Sequence, residues 1–190
     1  MSVVAASEAE TYVFVCDEGT SYTVRTTGAD AWVFRPHDTL QLPADPSGKA
    51  RRYSDGDFEL RIEGESARLG ERGGEPRVCR NDRRRAVWER AKLDGADFRA
   101  VGNEPGWYLE IREQTRIVLV ADYGESTVEV PLPEPAVDPD SRTTSWDAGE
   151  LLVEVIGRPC VDTMSGEHFP SEVMVQWEGR TLRGCGRALH

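Results

Sequence analysis

Residues 160–170, CVDTMSGEHFP, hold the densest set of side chains able to do chemistry: Asp162, Ser165, Glu167 and His168, next to a cysteine. Read as an enzyme site, Ser165 would be the nucleophile and His168 its base, which requires hydrogen-bond reach and a base oriented by a third group. The short spacing does not specify that geometry, and no nucleophile-elbow pattern surrounds Ser165. The sequence favours a turn in which the side chains of Asp162 and Ser165 hydrogen-bond to backbone amides.

Two other segments could meet a ligand. Residues 45–53, DPSGKARRY, make a small-residue turn with Lys49, Arg51 and Arg52 on an otherwise acidic chain. Such a loop can offer the Ser47 hydroxyl and nearby cations to a partner's carboxylates through charge-assisted bonds; the plainer reading is an ordinary hairpin. Residues 103–107, NEPGW, place a turn at Pro105 and Gly106 that delivers Trp107 to a strand start, as a core residue or, alternatively, as an aromatic platform.

Metal and cofactor chemistry find little purchase. His37, His168 and His190 are far apart in sequence, and Asp138 with Asp140 offers too few oxygens for calcium. No pair among the 34 acidic residues stands out in an apolar setting, the condition for a raised-pKa general acid. The expectation is a protein without cofactor, without metal and not an enzyme.

The elements that position these residues are short. Strand patterns recur at TYVFVC (11–16), SYTVRT (21–26), AWVF (31–34), TLQL (39–42), ARRYS (50–54), FELRI (58–62) and SARL (66–69), with Gly56 and Gly64 at reversals. Many short strands and no long helix imply an antiparallel barrel or sandwich. Residues 81–94 change character: Asp82 is a candidate cap for a helix carrying Ala86, Val87, Arg90 and Ala91 at helical spacing, and Gly95 stops it. Strand patterns resume at residues 107–113, 116–124 and 126–132, whereas 133–144, with three prolines, reads as an irregular loop. ELLVEVIG, VMVQW and RTLRGCG supply the last strands. The expected fold is all-β: two small barrels or sandwiches, residues 11–80 and 97–190, joined by a helical segment at 81–96.

Four cysteines fall into a wide pair, Cys16 and Cys79, and a tight pair, Cys160 and Cys185, without CxxC spacing. This suggests one disulfide per domain and an oxidising compartment, over buried free thiols or a reactive pair. Cys16 with Cys79 would tie a first strand to a last one. The hydrophobic fraction of 38% is low, but Trp, Tyr and Phe recur along the chain and argue for order. A net charge of −11 makes nucleic acid an unsuitable partner and would steer a basic protein toward the chain. Arg83, Arg84, Arg85, Arg90 and Lys92 concentrate positive charge, read as a solvated helix face or linker before an anion patch. No stretch approaches 18 apolar residues, so no membrane-spanning helix is expected. The start, MSVVAASEAE, is too short and lacks positive charge for an intact secretory signal; an exported protein would carry its signal elsewhere, with Met1 artificial.

Residues 11–80 resemble the membrane-associated or periplasmic inhibitors of c-type lysozyme, through YVFVC, SG with ARRY, FELRIEGESARL and the closing VCR. The resemblance implies a small β-barrel with a disulfide joining its ends, in the periplasm or anchored by lipid to the outer membrane. It also implies a serine, here Ser47 beside Gly48, and a lysine before the G-x-x-A element, both reaching the carboxylates of lysozyme. Glu63 stands at that lysine position, and Lys49 or Arg51 in the longer loop SGKARRY would supply the missing cation. Ser47, Gly48, Lys49, Arg51, Arg52, Tyr53 and Glu63 are therefore the expected partner-binding set. Residues 98–189 resemble a second envelope-associated family of uncharacterised function, through FRAVGNEPGWYLEI, CVDTMSG followed by FP, and GCG. A C-terminal site would draw on Trp107, Asp162, Ser165 and His168. Alternatives to inhibition are a docking protein of the envelope anchored by Trp107 or Trp177, and an envelope enzyme using residues 162–168.

Overall fold

Alternation in the sequence becomes alternation in space. In FELRIE, Phe58, Leu60 and Ile62 are buried while Glu59, Arg61 and Glu63 are exposed, and in SYTVRT Tyr22, Val24 and Thr26 are buried. A period of two puts one set on each side of a strand. The computed structural model describes residues 9–46 and 51–190, which divide into two units, Met1–Arg90 and Ala91–His190.

The first unit is an eight-stranded antiparallel sheet of β1 (Glu10–Cys16), β2 (Ser21–Thr26), β3 (Asp30–Phe34), β4 (Thr39–Pro43), β5 (Arg51–Ser54), β6 (Phe58–Glu63), β7 (Ser66–Glu71) and β8 (Arg77–Asn81). Its order, β4-β3-β2-β1-β8-β7-β6-β5, brings β4 and β5 to the two edges. Those edges meet through a bridge between Ala44 and Tyr53 and a bond from the Asp45 amide to the Arg52 carbonyl, 2.8 Å. The result is a near-barrel around Phe14, Val24, Val33, Leu42, Leu60 and Leu69. Cys16 lies directly opposite Cys79 on β1 and β8, and the two form a disulfide, Cα atoms 3.8 Å apart. The first strand is thereby fixed to the last, as expected, across 63 residues of chain. Closing a loop of that size contributes about 4 kcal/mol in the chain-entropy picture.

Helix α1 (Arg83–Leu93) begins where Asp82 Oδ1 accepts the Arg85 amide at 3.1 Å, the expected cap. It ends before Gly95, whose φ of +88° suits the left-handed turn there.

The second unit has a nine-stranded antiparallel sheet, a half-barrel. Its strands are β9 (Ala96–Asn103), β10 (Gly106–Arg112), β11 (Arg116–Ala121), β12 (Ser126–Pro131), β13 (Ala136–Asp138), β14 (Thr143–Asp147), β15 (Leu151–Ile156), β18 (Ser171–Trp177) and β19 (Arg180–Ala188), in the order β12-β11-β10-β9-β19-β18-β15-β14-β13. A separate two-residue pairing joins β16 (Cys160–Val161) to β17 (His168–Phe169). Trp107, Leu109, Leu119, Val153, Val175 and Trp177 contribute to its core. The second disulfide, Cys160 with Cys185, ties the β16–β17 pair to β19, Cα atoms 5.6 Å apart.

Two expectations need correction here. Residues 133–144 are not wholly irregular: β13 and the start of β14 form a hairpin whose turn is capped by Asp138, which accepts the Asp140 amide at 3.0 Å and the Ser141 hydroxyl at 2.7 Å. Prolines fit there because β13 is an edge strand, where a missing N–H leaves no central ladder bond unmade. Residues 96–103 form a central strand although their Ala and Gly content does not read as one. Small residues are required because a Cβ on Gly102 would come within 2.2 Å of the Trp107 indole nitrogen. Between Arg99 and Arg112 the carboxylate of Glu110 is buried; Arg112 Nε donates to it at 2.7 Å, and Arg99 also bonds it. Burial holds the Arg99 guanidinium below its ordinary value despite this partner.

A smaller ionic device sits where β8 meets the helix. Glu65 accepts from Arg83 at 2.8 Å and from the Asn81 side-chain Nδ2 at 2.9 Å, and these donors, Arg83 first, pull its carboxyl from 4.5 to about 2. A carboxyl with a depressed folded-state pKa stabilises the fold above its unfolded value and loses that contribution as pH falls through the folded one. We expect Glu65→Gln to flatten the loss of stability between pH 4.5 and about 2. Urea midpoints across that window should fall less in the variant than in the native chain.

Candidate functional site

The segment linking β4 to β5 is anchored on both sides. On the entry side stand the Ala44 bridge and the Asp45 amide bond. On the exit side Arg51 turns inward: Nη1 donates to the Tyr12 hydroxyl at 2.7 Å and Nη2 to Thr26 Oγ1 at 3.0 Å, and Glu10 completes the set. The guanidinium also lies 5.5 Å from the Tyr12 ring centre, and Tyr12 stacks on Phe14 at 5.1 Å. Burial works against the Arg51 charge, but the Tyr12 and Tyr53 hydrogen bonds and the nearby Glu10 outweigh it and raise its pKa. The same burial raises the Tyr12 hydroxyl.

These contacts separate the expected partner-binding residues into groups. Arg51 is a structural cation at the barrel end, Tyr53 is a core residue at 3% exposure, and Arg52 faces outward. Glu63 is exposed and paired with Arg61 at 2.7 Å, so its reversed charge is compensated by a neighbour two residues earlier on the same face. Ser47, Gly48 and Lys49 lie outside the described residues.

In the second unit the turn reading of residues 160–170 is what the geometry supports. Asp162 accepts the amides of Ser165 at 3.1 Å and Met164 at 3.4 Å, and also bonds the Ser165 hydroxyl and the Asn103 side chain. Ser165 Oγ in turn accepts the Glu167 amide at 3.1 Å. Burial pushes the Asp162 carboxyl up, but Ser165, Asn103 and the backbone donors together hold it below its ordinary value. His168 is exposed and, among the described residues, makes no hydrogen bond to Ser165. A cleft of about 390 Å³ does lie beside Asn103, Asp162, Thr163, Glu172 and Arg183, but neither Ser165 nor His168 lines it. Trp107 is a core residue at 5% exposure, wedged against Gly102 and Gly184. Among the described residues no group of His, Cys, Asp and Glu could hold a metal ion, and no helix is long and apolar enough to cross a membrane.

Compared with protein-family models, curated proteins and solved structures, the chain matches none of them.

Sequence reasoning missed three features: the Asn103 brace on Asp162, the Arg99–Glu110–Arg112 cluster, and the outward position of Arg61 and Arg68. The last was available in principle, because strict alternation with Leu60, Ile62, Ala67 and Leu69 leaves the arginines no other face. The charge is also unevenly divided: residues 1–90 hold 14 Lys and Arg against 16 Asp and Glu, whereas 91–190 hold 9 against 18. The acidic excess therefore belongs mainly to the second unit.

If Ser165 ties a turn, Ser165→Ala should destabilise the chain by about 1 to 2 kcal/mol through the unpaired Glu167 amide and the lost Asp162 bond. His168→Ala should stay within about 0.5 kcal/mol. Denaturant midpoints of the two variants against the native chain check both.

Proposed function

We propose that the chain is a non-enzymatic binding protein of the bacterial envelope, whose first unit presents the Ser47 loop to the active-site cleft of a c-type lysozyme. The observation that carries this reading is the two-sided anchoring of the 45–53 segment at the β4–β5 seam, by Asp45 with Arg52 and by Arg51 with Tyr12 and Thr26. A loop whose ends are held by the scaffold loses less freedom on binding, and the saving appears as affinity. The Arg61–Glu63 pair supports it further, because the acid at the position where the resembling inhibitors carry a lysine does not stand uncompensated. Two disulfides fit an oxidising compartment, and the proposal sets the protein in the periplasm, free or attached to the outer membrane by a lipid outside the given sequence. The second unit, acidic and stapled by Cys160–Cys185, adds negative charge that steers a basic enzyme toward the complex. An envelope docking role through Trp107 or Trp177 is less well supported, since both are core residues at 5% and 6% exposure.

Titration of the intact protein into a c-type lysozyme activity assay tests the proposal. Inhibition is expected, with Ser47→Ala and Lys49→Ala each weakening it about tenfold, the loss of one charge-assisted contact. Neither binding nor inhibition at micromolar concentration would overturn it.

A further inference from the structure

The outward face of β5, β6 and β7 carries an arrangement that stability alone does not call for. Arg52 stands directly opposite Arg61, and Arg61 directly opposite Arg68. Three exposed arginines therefore form one line across three neighbouring strands, at intervals of about 5 Å set by the strand spacing. Like charges directly opposite one another weaken a sheet. Along β6 the outward charges do alternate in sign, Glu59, Arg61, Glu63, as an ordinary solvated face does; across the strands they do not. Arg61 has Glu63 at 2.7 Å, whereas among the described residues neither Arg52 nor Arg68 has a carboxylate partner. A cleft of about 300 Å³ opens against all three, with Arg72 and the acids Asp45, Glu59 and Glu71 also in its wall.

We propose that this face binds a compact ligand carrying two neighbouring phosphates. A guanidinium presents paired donors that match phosphate oxygens, and the three in line form two adjacent clamps. Two phosphates close together fill both clamps, and a lone carboxylate fills one. The net charge of −11 works against a long polyanion, but charges beyond about 10 Å are screened at ordinary ionic strength, so a small ligand meets the local set, in which Arg52, Arg61, Arg68 and Arg72 stand against Asp45, Glu59 and Glu71. The phosphates belong either to a soluble molecule or to a lipid headgroup. The lysozyme reading shares Arg52 with this face and, through the pair with Glu63, Arg61 as well; Arg68 belongs to this inference alone.

Isothermal titration of the full chain with tripolyphosphate at low ionic strength is the experiment, repeated on Arg61→Gln, Arg68→Gln, their double variant and, as control, Arg142→Gln. Saturable binding is expected, about tenfold weaker in each single variant and lost in the double one. The control should bind as the native chain does. The unfolding temperature of the arginine variants should hold or rise, because repulsion is relieved. No binding to the native chain at millimolar tripolyphosphate, or equal binding by the double variant, overturns the proposal. Sedimentation with phosphatidylcholine vesicles containing phosphatidylinositol 4,5-bisphosphate, whose headgroup carries two neighbouring phosphates, assigns the source. Capture that depends on Arg61 and Arg68 sets the phosphates on a lipid, tripolyphosphate binding without capture sets them on a soluble ligand, and either supports phosphate recognition. Lysozyme inhibition retained by Arg68→Gln, a residue the lysozyme reading does not use, separates a failure here from a failure of the preceding reading.

Discussion

The pairing of β1 with β8, locked by Cys16 and Cys79, is the constraint on which the first unit depends. Strands that are farthest apart in sequence become neighbours, so the sheet must curl until β4 and β5 face each other. Non-local pairing of this kind costs loop-closure entropy before its contacts form, and the cross-link removes part of that cost from the unfolded chain. Once the curl is imposed, every second residue points into one core, and Phe14, Leu42, Leu60 and Leu69 become fully buried or nearly so.

That division also sorts the residues at the seam between β4 and β5. Its ends are held by the Ala44 bridge and by Arg51, whose charge is met by Tyr12, Thr26 and Glu10 at the barrel end. Arg52, one residue further, faces outward, so adjacent arginines serve the scaffold and the surface respectively. Phosphate binding by the Arg52–Arg61–Arg68 line and lysozyme binding by the Ser47 loop, both proposals, draw on neighbouring parts of the same unit.

Much of the fold was legible because its signals are local. Alternation located the strands of residues 11–69, Asp82 and Gly95 bracketed the helix, and cysteine spacing paired the disulfides correctly. What escaped depended on partners distant in sequence. β9 is central because Gly102, together with the distant Gly184 of β19, leaves room for Trp107, and β13 is a strand because an edge tolerates its flanking prolines. The site was legible to a lesser degree. Residue types marked 45–53, but the inward turn of Arg51 depends on Tyr12 and Thr26, 39 and 25 residues away. The Asp162–Ser165 turn was readable from its own side chains, whereas its Asn103 brace lies 59 residues off.

The second unit uses its disulfide differently. Cys160–Cys185 fastens a two-strand flap to the central strand β19 and encloses a short stretch of 25 residues. Glu110, buried between two arginines, gives the same sheet an ionic centre that tolerates no unpaired member. Hydrogen–deuterium exchange of the intact chain, alone and with a c-type lysozyme, tests most directly the claim that recognition resides at the β4–β5 seam of the first unit. Binding there predicts slowed exchange in residues 45–53, with β18 and β19 unchanged. Protection confined to residues 91–190, or no change anywhere in the chain, would contradict it.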